Sequence, residues 1–236
     1  DNGLLNKKSD QFNSLQEKLV NRFSDIQFLT PDRFLHFACC KDTEEDRGTV
    51  QYLEDCANAA SIPTKFVYVE DIGRDADGNF TDLDDQVINW MFKLYPWEFM
   101  FAEEFGRFVP EAQVNWLEPM WKSIVSNKAL LPMLWRLFPE HPNLLPAYFA
   151  DEHHQTTHGK WVKKPILARE GANIRVLQDG QDQGAASGSF YFDDYDKYGY
   201  VVQKWVETPL FAGQLPTLGL WMVGHQCAGM SIREDC

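Results

Sequence analysis

The fold class follows from three consecutive segments: FLHFACC (residues 34–40), EDRGTVQYLEDCANAAS (45–61) and KFVYVED (65–71). The first and third are short apolar runs, rich in aromatic residues, of the length of a strand. In the second, Val50, Leu53 and Ala57 recur at three- and four-residue spacing, which places them on one face of a helix. A strand, a helix and a second strand in this order predict an α/β layer.

Outside this layer the chain alternates between helical and strand patterns. Apolar residues at helical spacing follow Ser9 and predict an N-capped helix that ends near Ile26. Residues 116–149 show a helical pattern interrupted by Pro, and WVKKPILA (161–168) is strand-like. From Tyr200 the pattern is mostly β. The sequence therefore predicts a mixed α/β protein.

The composition describes a folded, acidic protein. The 236 residues carry 22 Lys and Arg against 35 Asp and Glu, a formal net charge of -13, and 44 % are hydrophobic. An acidic surface repels phosphate backbones and anionic lipids, which argues against nucleic acid or a membrane as partner. No run approaches the ~18 apolar residues of a membrane span. Five cysteines cannot all pair, so we predict a cytoplasmic protein with reduced thiols.

Two patterns imitate metal sites without meeting their requirements. DADGNF (75–80) copies the start of a calcium loop, but the Gly and the bidentate Glu that an EF-hand needs further along are missing. His153, His154 and His158 have no Cys or second His pair at zinc-ligand spacing nearby. We interpret the first pattern as a polar turn and the second as a solvated loop, and we assign no metal ligand in this chain.

Two lysines and a loop of small residues form a pattern with chemical content. Lys163 and Lys164 end a predicted strand, one on each face, and a loop follows. A strand lysine beside such a loop can hold a triphosphate, because the ammonium meets phosphate oxygens while loop N–H groups approach closely. A solvated strand end with an ordinary turn explains the pattern equally well. The loop residues in question are Arg169, Glu170, Gly171 and Ala172.

Two further segments have both a functional and a structural interpretation. VVQKWVE (201–207) could be an adenine-binding hinge, with Glu207 accepting the ribose hydroxyls, or an ordinary amphipathic strand. Glu44 and Glu45 follow a strand end and precede a helix. They could cap that helix through its dipole, or they could bind a cationic amine.

The order of these motifs resembles one protein family, the stand-alone synthetase branch of the glutathionylspermidine synthase family, whose members have an ATP-grasp fold. The resemblance covers nearly all of the chain. It rests on DQFNSLQEKL (10–19), DTEEDRGTVQYLEDCA (42–57), FTDLDDQVINWMFKLYPWEFM (80–100), WLEPMWKSIVSNKALLPMLW (116–135), HPNLLPAYF (141–149), KKPILAREGANI (163–174) and AGMSIRED (228–235).

The resemblance implies a chemistry and a division of the chain. A carboxylate, from a small molecule or a peptide, is activated by ATP to an acyl phosphate, and a cationic amine then attacks to give an amide. Residues 1–115 would form an α/β region on the substrate side, and residues 116–236 the nucleotide-binding region. The implied positions are Lys128 and Lys164 for the phosphates, the loop 169–172 over them, Gln203, Lys204 and Trp205 for adenine, Arg233 for the transferring phosphoryl group, and Glu44 and Glu45 for the amine.

The sequence departs from the family pattern in two respects. The family's Mg²⁺ ligands are expected upstream of this chain, and no equivalent occurs within residues 1–30. The family also continues beyond the IRED segment at 232–235. Phosphoryl transfer without magnesium should be nearly inactive, so a non-catalytic nucleotide- or peptide-binding module is the alternative function.

Overall fold

A computed structural model describes residues 13–27, 33–41, 44–152, 158–189, 191 and 193–235. The chain divides into two compact units. The first consists of Asp1–Pro119 with Pro209–Cys236, and the second of Met120–Thr208. The first division lies close to the predicted boundary between 115 and 116, whereas a second division after Thr208 is not predicted by the sequence. The roles given to the two predicted regions stay predictions.

The first unit contains a parallel four-stranded sheet, with the strand order β2-β1-β5-β6. The strands of this part of the chain are β1 (Leu35–Cys39), β2 (Thr64–Tyr68), β3 (Gly73–Arg74), β4 (Phe80–Thr81), β5 (Trp90–Leu94) and β6 (Asn115–Leu117). The helices are α1 (Leu15–Ile26), α2 (Glu44–Ala59) and α3 (Trp97–Ala102). The predicted strand–helix–strand layer is confirmed as β1, α2 and β2. The predicted first helix is α1, but it begins at Leu15 with Ser14 at the N-cap position, so the prediction that Ser9, which lies outside the described residues, caps it is wrong.

Burial explains why β1 is apolar except at His36. The strand lies between β2 and β5, and all five of its residues are buried. A strand covered on both faces has a continuous apolar sequence instead of an alternating one. On one face Phe37 packs against Phe23 of α1 and Phe92 of β5. On the other face the buried His36 is hydrogen-bonded to Asp82, with Nε2 and Oδ2 3.2 Å apart.

The second unit contains an antiparallel five-stranded sheet, with the order β10-β9-β8-β11-β7. Its strands are β7 (Ala147–Phe149), β8 (Lys160–Pro165), β9 (Arg175–Gln178), β10 (Gln181–Ala185) and β11 (Tyr200–Lys204), and its helices are α4 (Lys122–Val125) and α5 (Leu130–Leu137). The prediction of a helical stretch over 116–149 is wrong at both ends, where β6 and β7 occur. Each has three residues, too few for a periodic pattern to distinguish a strand from a helix.

The chain after Thr208 returns to the first unit as a hairpin. Its strands are β12 (Leu215–Val223) and β13 (Gln226–Asp235), which confirms the prediction of mostly β structure from Tyr200. The hairpin packs on α1, where the N–H of Ser14 donates to the carbonyl of Ala228 at 2.8 Å. Within the described residues, no helix is both long and apolar enough to cross a membrane.

Candidate functional site

Lys164 lies on β8, and its side chain reaches β11. Its Nζ donates a hydrogen bond to Oε1 of Gln203 at 2.8 Å. The side chain is half-buried, and desolvation lowers the pKa of Lys164 from its ordinary value of 10.5. Because Gln203 offers a neutral amide oxygen, this contact orients the ammonium group without neutralising its charge.

Strand pairing explains why Lys164, and not Lys163, reaches Gln203. Lys164 is paired with Val201 of β11, two residues before Gln203 and therefore on the same face. Lys163 lies on the opposite face, where its Nζ is 4.2 Å from the centre of the Tyr200 ring. The prediction that the two lysines lie on opposite faces is confirmed.

Lys128 is hydrogen-bonded to Ile166 and Ala168, in the segment that follows β8. Its backbone N–H donates to the carbonyl of Ile166 at 3.0 Å, and its Nζ donates to the carbonyl of Ala168 at 2.7 Å. The structure therefore brings Lys128 to the stretch of chain that runs from Lys164 into the loop 169–172.

That loop is a tight turn with an exposed tip. The N–H of Ala172 donates to the carbonyl of Arg169 at 3.0 Å, and Ala172 is buried beneath the turn. Arg169 and Glu170 are exposed. Gly171 has a φ of 79°, a conformation that side chains rarely adopt, and nothing lies within 4 Å of where its Cβ would be. Its backbone is thus open to close approach by a ligand.

Two backbone N–H groups of the predicted adenine-binding segment already form hydrogen bonds within the second unit. The N–H of Lys204 donates to the carbonyl of Pro146 at 2.9 Å, and the N–H of Trp205 donates to the carbonyl of Lys160 at 3.1 Å. These two N–H groups cannot also read a purine edge. Any such contact from this segment would have to come from its carbonyl groups or from N–H groups beyond Trp205.

Trp205 and Glu207 lie beside Lys160. The Nζ of Lys160 is 3.8 Å from the centre of the Trp205 ring and 3.3 Å from Oε1 of the exposed Glu207. The indole Nε1 of Trp205 is buried and has no hydrogen-bond partner among the described residues. A buried N–H without an acceptor is uncommon in native proteins.

Arg233 belongs to the other unit. It is an exposed residue of β13, paired with Thr217 of β12. The role predicted for Arg233 in phosphoryl transfer stays a prediction.

The predicted amine residues lie at the carboxyl end of β1. Glu44 and Glu45 are exposed and, with Asp46, form the first turn of α2. This position agrees with both the helix-capping and the amine-binding interpretation. The carboxyl ends of parallel strands are also where α/β sheets bind ligands.

More carboxylates follow the neighbouring strand at this edge. Glu70 and Asp71 lie in the turn that follows β2. Oε1 of Glu70 accepts from the N–H of Lys41 at 3.1 Å, and Asp71 pairs with Nζ of Lys41 at 2.5 Å. Beyond β5, the hydroxyl of Tyr95 donates to Glu103, and burial together with this bond raises the pKa of Tyr95.

The same segments enclose a cavity of about 220 Å³ in the first unit. Its wall is largely apolar but includes the two carboxylates Glu70 and Glu103. The apolar side chains of the wall include Phe80, Met91, Met100 and Trp116. A cavity of this composition suits a ligand with an apolar body and a cationic end.

The model of the glutathionylspermidine synthase preATP-grasp family matches residues 1–236, the whole length of the chain. The chain belongs to this family. Among its relatives is a protein of Haemophilus influenzae named "putative acid–amine ligase", 41 % identical over 232 residues, which are 97 % of this chain and 59 % of the relative. The bifunctional glutathionylspermidine synthetase/amidase of Escherichia coli is 27 % identical over 226 residues, 86 % of this chain and 36 % of that protein.

The trypanothione synthetase of Crithidia fasciculata is also 27 % identical, over 217 residues that make up 82 % of this chain and 32 % of that one. A solved structure, a putative γ-glutamylcysteine synthetase from Methylobacillus flagellatus, has a similar fold. Its TM-score is 0.56 at 11 % identity, over 96 % of this chain and 70 % of that one. The family and this likeness confirm the predicted mixed α/β fold of the ATP-grasp type.

This member of the family has residues near the candidate site that its sequence pattern did not indicate. Glu70 and Asp71 directly follow the strand in KFVYVED, so the rule that ligands bind at the carboxyl ends of parallel strands would have identified them. Lys93 is buried on β5, where its Nζ donates to the carbonyl of Tyr95 at 2.6 Å and burial lowers its pKa to about 8. In the sequence, a single lysine within an apolar run does not indicate a functional site.

The described residues contain no group of three or more His, Cys, Asp or Glu side chains that could hold a metal ion. In the DADGNF turn, Asp75 accepts hydrogen bonds from the backbone N–H and the side-chain amide of Asn79, at 2.8 and 2.9 Å. The carboxylate of Asp75 thus closes the predicted polar turn. His153 and His154 lie outside the described residues.

Proposed function

We propose that this protein is an ATP-dependent ligase that joins the carboxylate of a small molecule or peptide to a cationic amine through an acyl phosphate. The observation that carries the proposal is the environment of Lys164, a half-buried ammonium group oriented by the neutral oxygen of Gln203. Membership of the glutathionylspermidine synthase family supports the same class of reaction. The chain spans 59 % of its relative from Haemophilus influenzae, so this activity is proposed for the intact protein.

In the first step, a carboxylate oxygen of the acid attacks the γ-phosphorus of ATP. The bond from that phosphorus to the bridging oxygen breaks, and ADP leaves. Positioned cations assist such a transfer more than a nucleophilic side chain does. We assign this role to Lys164 and Lys128 of the second unit, with the open backbone of Gly171 beside the phosphates. That Arg233 steadies the transferred group stays a separate prediction.

In the second step, the amine nitrogen attacks the acyl carbon. The carbon–oxygen bond to phosphate breaks, phosphate leaves, and the nitrogen loses a proton to give the amide. The amine binds as an ammonium group, which favours carboxylates as its partners, and its nitrogen must lose a proton before it can attack. Glu44 and Glu45 are the assigned contacts, at the edge of the sheet that Glu70 and Asp71 also line.

Magnesium would supply positive charge that offsets the negative charge of the phosphates during the transfer. The part of the chain that the structure describes has no cluster of metal ligands, so no step here is derived through the metal. ATP with Mg²⁺ stays the expected cofactor of the intact protein.

Product formation tests the reaction class. The intact protein is incubated with ATP, Mg²⁺ and a pool of small carboxylates, peptides and polyamines, and amides and ADP are measured by mass spectrometry. We expect an amide product that depends on all components. Binding of an ATP analogue without any ADP or amide would contradict the ligase and support the non-catalytic module.

A double substitution tests the amine contacts. Replacing Glu44 and Glu45 by Gln removes two charges while keeping size, so KM for the amine should rise at least about tenfold, with KM for ATP unchanged. Glu54→Gln, a carboxylate further along α2, is the matched control. An amine KM in the double variant equal to that of the control would exclude these two residues.

A further inference from the structure

The loop 169–174 is held by Ser189 and Asp196 of the second unit. The hydroxyl of Ser189 donates to the carbonyl of Gly171 at 2.7 Å and accepts from the N–H of Ile174 at 2.9 Å. One side chain thus connects to the middle and to the end of the loop. It fixes their separation through two backbone groups.

Asp196 makes the second attachment. It accepts from Nδ2 of Asn173 at 2.8 Å, from the hydroxyl of Tyr191 at 2.8 Å and from the hydroxyl of Tyr200. Tyr200 begins β11, the strand that carries Gln203. Asp196 therefore links the loop to the strand whose Gln203 orients Lys164.

The loop needs such support because of its backbone. Glu170 and Asn173 have φ values of 54° and 55°, in the left-handed region that costs a non-glycine residue conformational energy. Asn173 is also only 6 % exposed, so its side-chain amide would be costly to leave without an acceptor. The hydrogen bonds that Ser189 makes with the loop backbone, and the one that Asp196 accepts from Asn173, support this conformation.

We propose that Asp196 and Ser189 are positioning residues that hold the loop 169–174 in its binding conformation before the nucleotide arrives. This inference rests on the proposed nucleotide site. Neither residue needs to touch the ligand, since each acts through the loop. A loop that is already in its binding conformation binds more tightly, because the ordering cost is not subtracted from the binding free energy.

Substitution by Asn distinguishes this role from simple packing. Asp196→Asn keeps the shape but replaces one acceptor oxygen by an NH₂ donor, which then faces donors on Asn173, Tyr191 or Tyr200. We expect the Kd of a non-hydrolysable ATP analogue and KM for ATP to rise about tenfold, equivalent to about 1.4 kcal/mol, while kcat changes by less than about twofold. Ser189→Ala should act in the same direction.

The matched control is Asp179→Asn. Asp179 is a carboxylate of the same unit that accepts from the N–H of Gly159 at 2.7 Å, away from the loop. In the intact protein, amide hydrogen exchange at residues 171–174 should become faster in Asp196→Asn and Ser189→Ala than in the control. A saturating ATP analogue should restore the protection.

Two results would overturn the inference, and they are distinguishable from failure of the site. If the wild type binds the analogue and both variants match Asp179→Asn in Kd and in exchange, the positioning role is wrong. If the wild type does not bind the analogue at all, the nucleotide site itself is refuted, together with this role of Asp196.

Discussion

Lys65 and Lys164 both project from strands, but the charge of their hydrogen-bond acceptors differs. Nζ of Lys65, on β2, lies 2.9 Å from Asp82 and 2.6 Å from Asp84. These two carboxylates, Asp84 first, raise the pKa of Lys65. Nζ of Lys164, on β8, donates to a neutral amide oxygen, and burial lowers its pKa.

This difference separates a structural cation from one suited to a ligand. In a protein with a net charge of -13, carboxylates are abundant partners for lysine. A carboxylate partner stabilises the fold and leaves little positive charge for an external anion. Burial removes part of the hydration of the Lys164 ammonium group, which is unfavourable. A bound anion would offset this loss through its favourable interaction with the charge.

The largest expected effect is the loss of turnover on replacing Lys164. Lys164→Met removes the charge but keeps the aliphatic stem, and kcat/KM for ATP should fall at least about 100-fold. Because burial disfavours the charged form of Lys164, the free energy of unfolding should not fall. Lys163→Met, on the opposite face, is the control and should stay within about twofold. Equal losses of kcat/KM in the two variants would contradict the special role of Lys164.

A smaller effect is expected on stability when Asp82, the buried partner of Lys65, is replaced. Burial alone would raise the pKa of Asp82, but hydrogen bonds led by that from Lys65 outweigh it and lower the pKa to about 2. Asp82→Asn should therefore lower the free energy of unfolding by about 2 kcal/mol at neutral pH, measured by urea denaturation, and the proposed nucleotide site in the second unit should be unaffected.

The pH dependence of that stability has a definite sign. A depressed carboxyl pKa contributes stability that is complete above the ordinary value of 3.8 and is lost as the pH falls through about 2. The wild type should lose this contribution between those values, whereas Asp82→Asn should not. Parallel acid profiles of the two proteins would contradict the assignment.

The smallest effect concerns the partner of Lys164. Gln203→Leu removes the acceptor that orients the ammonium, a single hydrogen bond, so KM for ATP should rise about fivefold. Gln183→Leu, at an exposed position of β10, should have no effect on KM. An unchanged KM in Gln203→Leu would mean that Lys164 is oriented by other contacts.

The sequence predicts local features of the fold well and nonlocal ones poorly. The continuous apolar run of β1 and the helical spacing in α2 are local, and both predictions are confirmed. The return of the hairpin to α1 depends on a contact between Ser14 and Ala228, 214 residues apart, which no local pattern contains. Three-residue strands such as β7 are too short to show a period.

The same limit applies to the candidate site. Alternation along the strand predicts that Lys163 and Lys164 lie on opposite faces, but the choice of Gln203 as partner depends on the pairing of β8 with β11. Asp196 lies in a polar, tyrosine-rich segment without a motif, so only the fold reveals that it contacts Asn173. Residue types that suit phosphate were predictable, whereas the side chains that orient them were not.

The most direct test of the uncompensated charge on Lys164 is proton uptake on nucleotide binding. Phosphate oxygens beside Lys164 should raise its lowered pKa, so the complex holds more protons than the unliganded protein at alkaline pH. Calorimetry of the intact protein with an ATP analogue and Mg²⁺, in buffers of different ionisation enthalpy, measures this number. We predict proton uptake and an affinity that falls as the pH rises toward 10.5, both absent in Lys164→Met. Identical uptake and affinity in the wild type and Lys164→Met would contradict the account.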